Sequence, residues 1–131
     1  MPDRVLVVDD EPAIGRWLRL ELGAAGFEVL TATDADDALR LATGEAPDVL
    51  VVDLTLPGVD GRTLVERLHA ITPAPIIVMS GYVDAAHKDL AMAAGATEFI
   101  TKPFDGETLA GLCRALLDTR RERLAEGPSP D

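Results

Sequence analysis

The chain has 131 residues, 47% of them hydrophobic and 27% charged, with 23 acidic against 12 basic side chains and a formal net charge of -11. That length allows one domain with a real core, and no run reaches the roughly 18 apolar residues of a membrane span. So acidic a surface repels nucleic acid, and no basic stripe able to displace counterions precedes the short Arg120-Arg121-Glu122-Arg123 segment, so direct nucleic-acid binding by this chain is not expected.

The first residues carry no basic region, long apolar stretch or small-residue cleavage site, so the expected location is cytoplasmic. Residues 4–8 (RVLVV) read as a first strand, stopped by Asp9-Asp10-Glu11-Pro12. A helix is expected from Pro12, because proline suits the first turn and acids before it complement the helix dipole. Ile14, Trp17, Leu18, Leu22 and Ala25 follow at helical spacing, and Gly23 and Gly26 should end the helix. Residues 27–31 (FEVLT) form the second strand. The second helix opens at Asp34 or Ala35 and runs to Gly44.

Residues 49–53 (VLVVD) are a short apolar run that ends in one carboxylate and soon breaks at Pro57-Gly58. Such a run reads as a strand covered on both faces. A third helix carries Leu64, Val65 and Leu68 and ends before Pro73 and Pro75; residues 76–79 then form the fourth strand, broken by Ser80-Gly81. A small-residue helix from about Asp84 to Ala94 leads through Gly95 to the fifth strand, residues 98–101, which stops at Lys102-Pro103. The last helix starts near Asp105 and carries Leu109, Leu112, Cys113, Leu116 and Leu117; residues 1–124 form the expected domain, and 125–131 an expected disordered tail.

Five strands alternating with five helices through short connections imply an α/β fold, a three-layer αβα sandwich whose five-stranded parallel sheet runs in the flavodoxin-like order 2-1-3-4-5. In such sheets the functional groups gather at the carboxyl ends of the strands. There the chain sets Asp9-Asp10, Asp53, Ser80 and Lys102-Pro103 on one edge. Each alone has an ordinary reading as a cap or turn residue; four elements delivering reactive groups to one edge do not. Two unit charges 4 Å apart at an effective dielectric near 20 repel by on the order of 4 kcal/mol. A cluster of carboxylates therefore calls for a cation, and Mg2+ suits a site of few carboxylates and several waters. Lys102 supplies a further, mobile charge. Cys113, the lone cysteine, reads as buried packing, Trp17 as core packing, and His69 and His87 as surface residues away from the strand ends.

The segments VLVVDDEP, DVLVVDLTLPGVDG, PIIVMSGY and AGATEFITKPF, in this order and spacing, resemble the receiver domains of two-component response regulators, the CheY-like family, over residues 4 to about 120. The resemblance implies that Asp53 is the phosphoacceptor, taking a phosphoryl group from a phosphohistidine of a sensor histidine kinase or a histidine phosphotransfer protein. It implies Mg2+ held directly by Asp10 and Asp53 and by the backbone carbonyl of Thr55, with Asp9 on a metal-bound water. Ser80 and Lys102 would contact phosphoryl oxygens, and Lys102-Pro103 would be a cis peptide. Ser80 and Phe99 would form the switch; Phe99 stands where a tyrosine is familiar, which removes a phenolic hydrogen bond. Thr55 occupies a position that in this family influences acyl-phosphate hydrolysis. The readout surface would be the fourth helix, fifth strand and fifth helix, meeting a downstream protein, with a phosphorylation-dependent homodimer as an option. Such a domain is a signalling phosphoacceptor that assists its own phosphorylation and dephosphorylation, not an enzyme acting on others.

Three rivals compete. A haloacid-dehalogenase-like phosphohydrolase also has a strand-end aspartate, but its second Asp two residues on is replaced here by Thr55 after Asp53 and by Glu11 after Asp9. A nucleotide-binding Rossmann domain would need GxGxxG where this chain has acids. A receiver-fold platform working without phosphorylation would keep repelling acids for no return.

Overall fold

The structure, a computed structural model, describes residues 2–81 and 85–126. Strands β1 (Arg4–Val8), β2 (Glu28–Ala32), β3 (Val49–Asp53), β4 (Ile76–Ser80) and β5 (Glu98–Thr101) alternate with helices α1 (Pro12–Ala24), α2 (Ala35–Gly44), α3 (Gly61–Ile71), α4 (Ala85–Ala94) and α5 (Gly106–Glu126). All pairings are parallel and the order is β2-β1-β3-β4-β5, as the alternation predicts.

The period-two geometry of a strand sorts the core into two halves. Leu6, Val8, Leu50, Val52, Ile76 and Val78 pack with Leu64 and Leu68 of α3 and Ala91 of α4 on one face. Val5, Val7, Val49, Val51, Ile77 and Met79 pack with Leu18 and Leu22 of α1 and Leu109, Cys113 and Leu117 of α5 on the other. Both faces are dry, which is why these strands read as unbroken apolar runs. Each fully buried Leu, Ile or Met here contributes roughly 1.5–3 kcal/mol.

Helix α1 starts at Pro12 as expected, but it passes through Gly23 to Ala24. Gly26, at φ +97°, terminates it, and the Phe27 N–H closes the last turn by donating to Leu22 O at 3.1 Å. Phe27 is thereby spent on the helix end, and β2 begins one residue late, at Glu28, whose N–H donates to Asp3 O at 2.9 Å. Asp34 caps α2 by accepting from the Asp37 N–H at 2.8 Å, and Asp60 caps α3 by accepting from the Arg62 N–H at 3.2 Å. The expected tail is shorter at its start: Ala125 and Glu126 continue α5, both being strong helix formers that need no apolar partner. The rest of that expected tail, 127–131, and Asp84, the expected first residue of α4, lie outside the described residues. Among the described residues no helix is long and apolar enough to cross a membrane.

Candidate functional site

Register brings the reactive groups together. Val8 of β1 pairs with Val52 of β3, so Asp9 and Asp53 follow side by side; Asp53 pairs with Met79, and Ser80 with Thr101, so Ser80 and Lys102 stand on the same edge. Carboxylate oxygens of Asp9, Asp10 and Asp53 all lie within 4.8 Å of one another. Asp9 and Asp53 are only 2% and 3% exposed and Ser80 is fully buried, whereas Asp10 faces solvent.

Each buried carboxylate is held at both oxygens. Asp53 Oδ1 accepts from the Thr55 backbone N–H and from its hydroxyl, both at 3.0 Å, while Oδ2 lies 3.4 Å from Lys102 Nζ. Asp9 Oδ1 accepts from the Glu11 N–H at 2.9 Å, and Oδ2 lies 3.2 Å from the same Nζ. Lys102 is anchored by its own N–H, which donates to Ser80 O at 2.8 Å, and the Lys102-Pro103 peptide bond is cis, as the resemblance implies. Burial pushes the Asp9 carboxyl above the ordinary carboxylate range; the Glu11 N–H opposes this, and the charge of Asp53 reinforces it. Burial also works against the Lys102 ammonium, but Asp53 and Asp9 outweigh it and raise its pKa. Three carboxylates against one ammonium leave an excess of negative charge on hard oxygen donors, a donor set that fits a divalent cation bound partly through water.

The sequence reading placed Asp9, Asp10, Asp53, Ser80 and Lys102 at one edge, and there they are. Phe99 is half-buried on β5 against the α2–α4 core. The side-chain hydrogen bond of Thr55 was not anticipated, although a threonine two residues after a strand-end aspartate is placed to close such a local turn. His87 corrects the expectation of a surface residue away from the strand ends. It is half-buried and lines a groove of about 250 Å3 with Leu54, Thr55, Asp60, Arg62 and Leu90. The first turn of α4 thus stands beside the segment that follows Asp53. His69 is exposed at the end of α3, as expected. Trp17 packs at the margin of the core, half-buried, with its ring 5.8 Å from that of Phe104.

A five-stranded parallel sandwich with this acidic edge and a strand-end lysine defines an αβα domain with a carboxylate–lysine site at the carboxyl ends of its strands. Comparison with known proteins places it further. Residues 5–114 match the family described as the response regulator receiver domain. The transcriptional regulatory protein KdpE of Mycobacterium tuberculosis is 41% identical over 111 residues, covering 85% of this chain and 49% of KdpE, so the chain spans about half the length of that relative. A CheY-like receiver domain from Methanospirillum hungatei superposes with a TM-score of 0.88 at 28% identity, covering 93% of this chain and 98% of that one. A response regulator from Burkholderia pseudomallei, solved with a phosphorylated aspartic acid, a calcium ion and citrate, gives 0.80 at 32% identity, covering 96% and 75%. The chain belongs to the response regulator receiver domain family, and its role is that of a phosphoacceptor domain in two-component signalling.

Proposed function

We propose that Asp53 accepts the phosphoryl group, from a phosphohistidine of a sensor histidine kinase or histidine phosphotransfer protein, with Mg2+ as cofactor. The observation that carries this is the Asp53 carboxylate, buried at the end of the central strand with Thr55 on one oxygen and Lys102 on the other, inside the cluster with Asp9 and Asp10. A carboxylate so held presents a fixed nucleophile, and phosphoryl transfer asks little beyond positioning and charge neutralisation. One Asp53 oxygen attacks phosphorus while the bond to the histidine nitrogen breaks. Lys102, shared between Asp9 and Asp53, is free to follow the new negative charge onto a phosphoryl oxygen. Asp10, Asp53 and the Thr55 carbonyl would hold Mg2+, with Asp9 on one of its waters; the ion supplies positive charge to the phosphoryl oxygens. The phosphorylated aspartate in the Burkholderia pseudomallei relative supports the same chemistry here.

The modification adds about -1.5 to -2 charges. Ser80 at the end of β4 and Phe99 on β5 are the groups that would respond, passing the change to the α4-β5-α5 face, where a downstream protein or a second copy would bind. In this reading residues 1–124 form the receiver, it works in the cytoplasm, and nucleic acid is not among its direct partners.

Incubation with Mg2+ and acetyl phosphate, followed by intact-mass analysis, tests the assignment. One Mg2+-dependent phosphoryl adduct is expected, absent from Asp53→Ala. An unchanged adduct in that variant, or none in the parent with Mg2+ demonstrably bound and beryllofluoride not taken up, overturns it.

A further inference from the structure

The two oxygens of Asp53 are held unequally. Oδ1 accepts two hydrogen bonds from Thr55, one from the backbone N–H and one from the hydroxyl, both at 3.0 Å, whereas Oδ2 meets the Lys102 ammonium at 3.4 Å. A carboxylate oxygen offers two lone-pair positions, so Oδ1 is filled. A cation that uses Asp53 must either displace a donor from Oδ1 or stand on Oδ2 beside an ammonium. Repulsion between two cations on one oxygen favours Oδ1. Of its two donors the N–H belongs to a turn whose preceding residue is tied down, Leu54 N–H donating to Met79 O at 3.0 Å. The hydroxyl hangs on a single torsion, and Thr55 is exposed, so water can take the hydroxyl once it is released. Turning only its hydrogen away would leave an oxygen lone pair 3.0 Å from a carboxylate; release therefore requires a change of χ1 rotamer.

We infer that the Thr55 hydroxyl is a latch on Asp53 Oδ1 that competes with Mg2+ and so sets the Mg2+ concentration at which the site becomes ready for phosphoryl transfer. The inference rests on the reading that Asp53 is a Mg2+ ligand. Without metal, the hydroxyl neutralises part of the charge on Oδ1 and stabilises the folded site. When the ion arrives, Thr55 turns out to solvent and yields that position, while Oδ2, beside Lys102, remains the oxygen available to attack phosphorus. Thr55 thus acts through Asp53 as a positioning residue: the same hydroxyl adds to stability without metal and subtracts from metal affinity.

Mg2+ titrations followed by thermal unfolding test this with three variants. Thr55→Val keeps the branched shape and removes the hydroxyl; it should bind Mg2+ about tenfold more tightly than the parent, the low end of what a hydrogen bond to a charged group contributes. Without metal the same variant should melt about 3–5 °C lower, because the bond to Oδ1 is lost. The opposite signs separate a latch from a merely structural role, which would weaken both. Thr55→Ser retains the hydroxyl and should match the parent in both measurements. Asp53→Ala should weaken Mg2+ binding in the same titration. If it does, and Thr55→Val leaves the affinity unchanged or reduced, the inference is overturned while Asp53 stays in the ligand set. An affinity that Asp53→Ala does not change overturns both readings together.

Discussion

At Cys113 on α5 the thiol has no exposed surface, and burial pushes it up to about 12, with the charge of Arg114 only partly opposing. A folded thiol pKa raised above the unfolded value means that the folded state keeps a proton the unfolded chain has lost. The associated stability is fully present below about pH 9 and is lost as pH rises from there toward 12. Melting curves should therefore fall more steeply over this window in the parent than in Cys113→Ala, whatever the offset from the lost side-chain volume; parallel slopes would contradict the burial argument. Asp10 offers the opposite experiment. Its carboxylate adds to the repulsion around Asp9 and Asp53, and among the described residues no cationic side chain is paired with it. Asp10→Asn should raise the metal-free Tm by roughly 3–6 °C, as a relieved repulsion in a domain of this size would, and abolish stabilisation by Mg2+. Equal Mg2+ stabilisation in variant and parent, read by differential scanning fluorimetry, removes Asp10 from the ligand set.

Helix α3 shows how an element fixes the site. It begins at Gly61, where a Cβ would overlap the carbonyl oxygen of Leu54, the residue that follows Asp53. Backbone cannot yield as a flexible side chain would, so Gly61→Ala should cost about 1–3 kcal/mol. It should also slow phosphorylation, because the displaced Leu54 carries Asp53 with it; urea unfolding and the acetyl phosphate rate report the two effects separately. The elements themselves were legible in the sequence because both faces of the sheet are buried and turn residues punctuate every strand. Boundaries were harder. Gly23 reads as a stop but lies one turn before the glycine that has the positive φ, and Phe27 reads as strand although the helix end takes its N–H. The end of α5 depends on propensity alone, a signal without periodicity. Among the site residues, the acids and Lys102 were legible because strand ends announce themselves. The place of His87 was not, since it depends on how α4 packs beside α3 and the segment after Asp53, and tertiary packing leaves no mark in residue spacing.

For the molecule as a whole, charge and topology act together. The chain carries a net charge of -11, and its topology gathers three of the carboxylates at one edge of a sheet whose strands lie between residues 4 and 101. Mg2+ at this cluster would bridge the ends of separate strands, a site that only the folded chain assembles. At free Mg2+ a hundredfold above its Kd the folded state should gain about 2.7 kcal/mol, roughly 10 °C in Tm for a domain of this length. Sodium chloride at matched ionic strength should give a much smaller shift; an equal shift would mean general screening and no site.

The division of the core by the sheet has one more consequence. β3 has a strand on either side and an apolar layer on both faces, whereas α4 buries only Ala91 and Ala94. In amide hydrogen exchange, the β3 protons escape only through openings that disrupt both layers at once, while α4 and the final turns of α5 exchange through small local excursions. The proposed phosphoacceptor thus stands at the end of a strand expected to exchange slowly, and the surface that would report it includes a helix expected to exchange faster.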